Sequence, residues 1–75
     1  MSENLKTIYY KNFQIDIESE ELKNNKFHPQ WWIWVSDEAT RFFLDTEIES
    51  KYEADILAEK NAKDYINKKL LGIND

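Results

Sequence analysis

The stretch Gln30-Trp31-Trp32-Ile33-Trp34-Val35-Ser36 holds all three tryptophans of the 75-residue chain. Side chains alternate between the two faces of a β-strand. As a strand, this run places Trp31, Ile33 and Val35 on one face and Trp32 and Trp34 on the other. One face is then the core. The other presents two indoles unless another part of the chain covers them. That second face is a signal for contact rather than for chemistry.

Working outward, Phe13, Ile15 and Ile17 alternate with Gln14, Asp16 and Glu18, which predicts an antiparallel strand with one buried and one wet face. Ile8, Tyr9 and Tyr10 are β-prone, and Lys11-Asn12 interrupts them; a bulge or tight bend is expected at Asn12. Residues 1–6 are polar and expected to fray. Residues 19–30 are polar, with Asn24-Asn25 as a turn centre. Pro29 cannot donate to a ladder, so the tryptophan strand begins at or after it. Ser36 to Thr40 reads as a hairpin loop, and Arg41 to Asp45 as a third strand with Phe42 and Leu44 on one face and Arg41 and Phe43 on the other.

Ser50-Lys51-Tyr52-Glu53 matches a capping box. Gly72, the only glycine, stands where a left-handed C-cap belongs, and Lys68 and Lys69 suit a helix C-terminus. A helix over residues 51–71 follows. At about 100° per residue, Ala54, Ala58, Ala62, Tyr65 and Ile66 share a stripe, bordered by Leu57 and Leu70. Ile56 and Leu71 point away from it. The expected fold is α+β, a βββα arrangement in one domain spanning residues 1–75. A three-stranded antiparallel meander carries one C-terminal helix on one face, over Phe13, Ile15, Ile17, Phe42 and Leu44.

Composition narrows the function classes. Fifteen acidic against ten basic residues give a net charge of −5, which repels nucleic acid over most of the surface. There is no cysteine, hence no disulfide, thiolate nucleophile or cysteine metal site. No apolar run approaches the roughly 20 residues of a membrane span, and the N-terminus lacks the pattern of a signal peptide; a cytoplasmic protein, bacterial or from a phage-infected cell, is expected. The lone histidine, His28, sits beside Pro29 in a polar loop, without an evident orienting partner for general-base work. Glu18-x-Glu20-Glu21 and Asp45-x-Glu47-x-Glu49 bring acids together but lack the central glycine of a calcium loop. These readings point to no catalytic residue, no metal site, no cofactor and no enzyme.

Protein contact is the class that fits. Trp, Tyr and Arg dominate interface energetics, and Trp32, Trp34, Phe43 and Arg41 form the candidate contact set. Asp16, Glu18, Asp45, Glu47 and Glu49 form a candidate acidic rim that steers the surface to a basic partner. A homodimer packed through the sheet faces is an alternative. Single-stranded nucleic-acid binding through Trp32, Trp34 and Phe43 is another, disfavoured because Arg41 is the lone base on that face. In a third, Phe27, Tyr9, Tyr10 and the long loop fold over the indoles and make them core.

The pieces Tyr10-Lys11-Asn12-Phe13-x-Ile15-x-Ile17, Trp31 to Val35, Ser50-x-x-Glu53-Ala54 and Ala62-Lys63-x-Tyr65-Ile66-Asn67 resemble a loose group of short bacterial proteins of βββα layout. The chain departs from that group at Asn12, where glycine is frequent, and in its clustered tryptophans. The resemblance implies a fold and no activity. In size and acidity the chain is also similar to phage inhibitors of bacterial defence, of the anti-CRISPR and anti-restriction type. That likeness implies a non-catalytic inhibitor docked on the nucleic-acid-binding surface of a larger complex.

Overall fold

Two tight hairpins generate most of the sheet. In the computed structural model, which describes residues 5–72, strands β1 (Lys6–Tyr10) and β2 (Phe13–Ile17) are joined by Lys11-Asn12 alone. Both linker residues have left-handed backbones, with φ of 49° and 73°. This is the geometry of a type I′ turn, whose twist matches that of the flanking strands. The bend expected at Asn12 is therefore a complete reversal, and what read as one interrupted strand is two paired ones. Lys6 belongs to β1, so the expected fraying does not reach it; residues 1–4 lie outside the described residues.

After β2 the chain forms a small separate sheet from β3 (Glu20–Glu21) and β4 (Phe27–His28). Between them Asn25 has a φ of 66°, and the Lys26 amide donates to Asn24 Oδ1 at 3.2 Å. The asparagine pair thus makes the turn as its chemistry suggests. Strand β5 (Gln30–Val35) follows Pro29, and β6 (Glu38–Phe43) returns after the two-residue loop Ser36-Asp37. The third expected strand, Arg41 to Asp45, thus begins three residues earlier and ends two earlier. Glu38, Ala39 and Thr40 are exposed, so no burial pattern marked them as strand.

The main sheet has four antiparallel strands in the order β1-β2-β5-β6, rather than the three of the expected meander. The fold class, α+β with an antiparallel sheet and a C-terminal helix, stands. Registers align Ile8, Ile15, Ile33 and Thr40 in one row, and Lys6, Ile17, Trp31 and Phe42 in the next. These rows face the helix.

Helix α1 (Lys51–Tyr65) starts at Ser50, whose Oγ accepts from the Glu53 amide at 3.1 Å. Ala54, Ala58, Ala62 and Ile66 are fully buried, the last three in one cluster with Ile15, Ile17, Trp31 and Ile33. Fully burying an isoleucine contributes about 1.5–3 kcal/mol, and the alanines let the helix approach closely enough for Ile15, Ile17 and Ile33 to reach that state. The α-helix stops six residues short of the expected end. Ile66–Leu70 form a wider π turn, with Leu71 N–H donating to Ile66 at 2.9 Å. An apolar stripe spaced every four residues drifts by about 40° per step on an α-helix. Widening the last turn takes up part of that drift, and Leu70 still packs on the core. Gly72 has the left-handed φ of 70° expected of it. Ile56 and Leu71 are exposed, as the helical projection placed them.

Polar ties lock the helix in place. Ser19, itself buried, donates through its amide and hydroxyl to Asp55 Oδ1 at 3.2 and 2.6 Å, and Lys51 pairs with the other oxygen at 2.8 Å. At the other end Asn67 Nδ2 donates to the Tyr10 hydroxyl at 3.0 Å, while Lys11 Nζ donates to Asn67 Oδ1 at 2.9 Å. Trp31 stacks on Phe42 with centroids 5.8 Å apart, and its buried Nε1 has no acceptor among the described residues. The result is a thin slab with extents of 37 × 30 × 16 Å. No helix of the described residues is long and apolar enough to cross a membrane.

Candidate contact face

The helix covers one side of the four-stranded sheet. The register assigns the other side residue by residue. One row runs Thr7, Asp16, Trp32, Arg41 and the next Tyr9, Gln14, Trp34, Ala39 across β1, β2, β5 and β6. Gln30 and Phe43 pair at the end of β5 and β6, and Glu18 N–H donates to the Gln30 carbonyl at 3.1 Å. Trp32, Trp34, Arg41, Phe43, Asp16 and Glu18 thus share one face, as the sequence predicted.

Hydrogen bonds fix this face internally. Asp16 is its hub. Its Oδ1 accepts from Thr7 Oγ1 at 2.8 Å and Gln14 Nε2 at 3.1 Å, and its Oδ2 accepts from Trp34 Nε1 at 2.9 Å. Burial pushes the Asp16 carboxyl up, but the bonds from Gln14, Trp34 and Thr7 outweigh it and hold the group below its ordinary value. Bonds to the charged form act in this direction. A carboxylate is thereby kept ionised beside two indoles, with only neutral donors around it.

Arg41 turns along β6 rather than toward the indole opposite it. Its Nε donates to Gln30 Oε1 at 2.7 Å and its guanidinium lies 5.0 Å from the Phe43 ring centroid. Gln30 in turn donates to the Glu18 carbonyl at 2.9 Å. Phe43 is half exposed, while Trp32 and Trp34 are partly buried by their neighbours. A shallow depression of about 470 Å³ opens over the indoles, lined by Leu5, Asp16, Glu18, Trp32, Trp34 and Ala39.

The residues expected as a possible cover go elsewhere. Tyr10 turns to the helix side and meets Asn67, Phe27 bridges to Ile48, and Tyr9 stands on the face but is largely exposed. Val35, assigned to the inner face, shares its parity yet is half exposed near the hairpin tip.

The acidic rim divides in two. Asp16 and Glu18 belong to the face. Asp45, Glu47 and Glu49 lie in the connection that follows β6, which pairs with β4 through Phe27 and Ile48. Glu49 binds Lys26 at 2.8 Å, a contact that lowers the pKa of Glu49 and raises that of Lys26. Glu47 accepts from Asn24 Nδ2 at 3.1 Å. Asp45 is exposed, with its Oδ1 3.7 Å from His28 Nε2, beyond hydrogen-bond length. Glu47 and Glu49 are thus tied to the turn between β3 and β4, and neither bonds to the Asp16 network.

Thr7, Tyr9, Gln30, Leu5 and Ala39 are parts of the face that sequence reasoning missed. The alternation of Leu5, Thr7 and Tyr9 was the available signal, masked because β1 was not read as a strand of its own. No protein-family model, curated protein or solved structure matches the chain.

Proposed function

We propose that the protein is a non-catalytic protein-binding module that docks through the face carrying Trp32, Trp34, Phe43 and Arg41. One observation carries this reading: among the described residues no element packs over that face, although it holds two of the three tryptophans. Large aromatic and arginine side chains on a rigid strand platform have the composition of an interface hot spot. The net charge of −5 directs the face to a basic partner. A basic surface that normally holds nucleic acid is such a partner, and the specific form of the proposal is a small acidic inhibitor of the anti-CRISPR or anti-restriction kind, acting in the cytoplasm of a bacterial cell.

Three measurements test it. The molar mass by size exclusion with light scattering is expected to be that of a monomer at all concentrations. A dimer that dissociates on Trp34→Ala would instead make the face a self-interface. Trp34→Ala is then expected to abolish capture of a nucleic-acid-processing partner, while capture by the parent chain is competed by that partner's nucleic acid. Quenching of tryptophan emission by oligonucleotide alone at low salt would replace the proposal with nucleic-acid binding.

A further inference from the structure

The depression over the indoles has a chemistry of its own. Its walls are apolar: the rings of Trp32 and Trp34, with Leu5 and Ala39. Ala39 stands directly opposite Trp34, so the β6 side of that ring is flanked by a single methyl group. The acidic side is formed by Asp16 and Glu18. Among the described residues neither carboxylate has an ion-pair partner; the lysines near acids pair with Glu49, Asp55, Glu59 and Asp64. Asp16 already accepts three bonds, and a carboxylate offers about four acceptor positions. The position left belongs to Oδ2, which holds only the bond from Trp34. The chain's own Arg41, opposite Trp32, is bound to Gln30 and Phe43 and does not line the depression.

A pocket with π faces and unpaired carboxylates takes a cation. The kind of cation follows from what each wall needs. A guanidinium is planar, weakly hydrated and rich in N–H donors, so one group can stack on an indole while donating in its own plane to a carboxylate. An ammonium is a compact, strongly hydrated point charge that gains less from the flat walls. An apolar side chain would bury the remaining Oδ2 acceptor position unpaired, at a cost. A nucleotide would bring its phosphate against Asp16 and Glu18.

We infer that the cleft formed by Trp32, Trp34, Asp16 and Glu18 is a binding site for an arginine side chain presented by a basic protein partner. The inference rests on the proposed docking role of this face and names the chemistry the face selects. The anchoring arginine stacks on the indoles and donates to Asp16 Oδ2 and Glu18, while Arg41 at the rim bars a second cation beside it.

The test is a titration of the full chain with oligo-arginine and oligo-lysine peptides of equal length at physiological salt, followed by tryptophan emission and calorimetry. Oligo-arginine is expected to bind more tightly, and Trp32→Ala, Trp34→Phe and Glu18→Gln each to weaken it by about tenfold. Trp32 makes no bond to Asp16 and Glu18 no ion pair, so these two variants keep the internal network, and circular dichroism verifies their fold. The paired change Glu47→Gln with Glu49→Gln removes the same kind of charge away from the cleft and is expected to have little effect. Equal affinity for the two peptides, or an equal loss from the remote pair, would overturn the inference and leave only attraction by net charge. If oligo-arginine fails to bind while Trp34→Ala still abolishes partner capture, the cleft assignment falls and the docking role stands; if both fail, both fall.

Discussion

Trp34 Nε1 donates to Asp16 Oδ2 at 2.9 Å across β2 and β5, although the two residues are not opposite one another in the register. The indole leans one position along the sheet to reach the carboxylate. This bond couples the aromatic face to a carboxylate whose charged form it stabilises.

Stability should therefore carry an Asp16 component with a defined sign. The carboxyl lies below its ordinary 3.8 when folded, burial raising it and the bonds from Gln14, Trp34 and Thr7 lowering it further. A depressed folded pKa means that the contribution is present above about pH 4 and is lost as pH falls through the folded value. Urea unfolding from pH 7 to pH 2 should show a loss that shrinks in Asp16→Asn. Equal pH dependence in the two proteins would show that Glu49 and Glu59, also lowered by their lysines, account for all of it.

The alanine stripe predicts an asymmetric response to size. Ala58 is fully buried in the core cluster. Ala58→Leu should destabilise by about 1–3 kcal/mol or more through overpacking. Ile33→Ala, on the facing strand, should cost about 2–5 kcal/mol through a cavity. Denaturant midpoints read both.

At Trp31 the expectation is a small effect from a large residue. Its Nε1 is buried without a partner, and an orphaned donor costs about 1–3 kcal/mol. Trp31→Phe removes that donor while retaining a ring to stack on Phe42. Loss of the orphaned donor offsets part of the cavity left by the smaller ring, so the net cost should fall below that of Ile33→Ala. A loss as large as that of Ile33→Ala would mean that the cavity outweighs the relief of the orphaned donor.

The first hairpin offers a gain. Asn12 has a φ of 73°, and glycine adopts such a backbone at little steric cost. Asn12→Gly should be neutral to stabilising by up to about 1 kcal/mol, relief of the left-handed strain offsetting the added freedom of the unfolded chain, measured by thermal unfolding, whereas Asn12→Val should be clearly destabilising.

The two halves of the fold differed in how visible they were along the chain. Phe13, Ile15, Ile17, Trp31 and Ile33 alternate cleanly because one side of each strand is buried, and the Ser50 cap and Ala54-Ala58-Ala62 stripe are local patterns. The outer strands were harder. β1 is separated from β2 by Lys11-Asn12, which lacks the usual glycine of a type I′ turn, and the first half of β6 is exposed on both faces. The face was legible from parity alone at Trp32, Trp34, Arg41 and Phe43. Asp16 as a hub was not, since its three donors come from two strands and its own, and only the register brings Thr7 and Trp34 to it. The contacts of Glu47 with Asn24 and of Glu49 with Lys26 were not legible either, because each joins residues 23 positions apart in the chain.

The slab is 16 Å through its shortest dimension, and this thinness ties occupancy to folding. Along β5, Trp32 and Trp34 alternate with the core residues Trp31 and Ile33, so a molecule seated on the indoles rests on backbone that is also the floor of the core. Unfolding must destroy the site. A ligand at about 100 times its dissociation constant then adds about 2.7 kcal/mol to global stability, a rise of roughly 10–20 °C in Tm for a chain of this length. Heat resistance is therefore a direct gauge of whether the face is filled, with no need to know in advance what fills it.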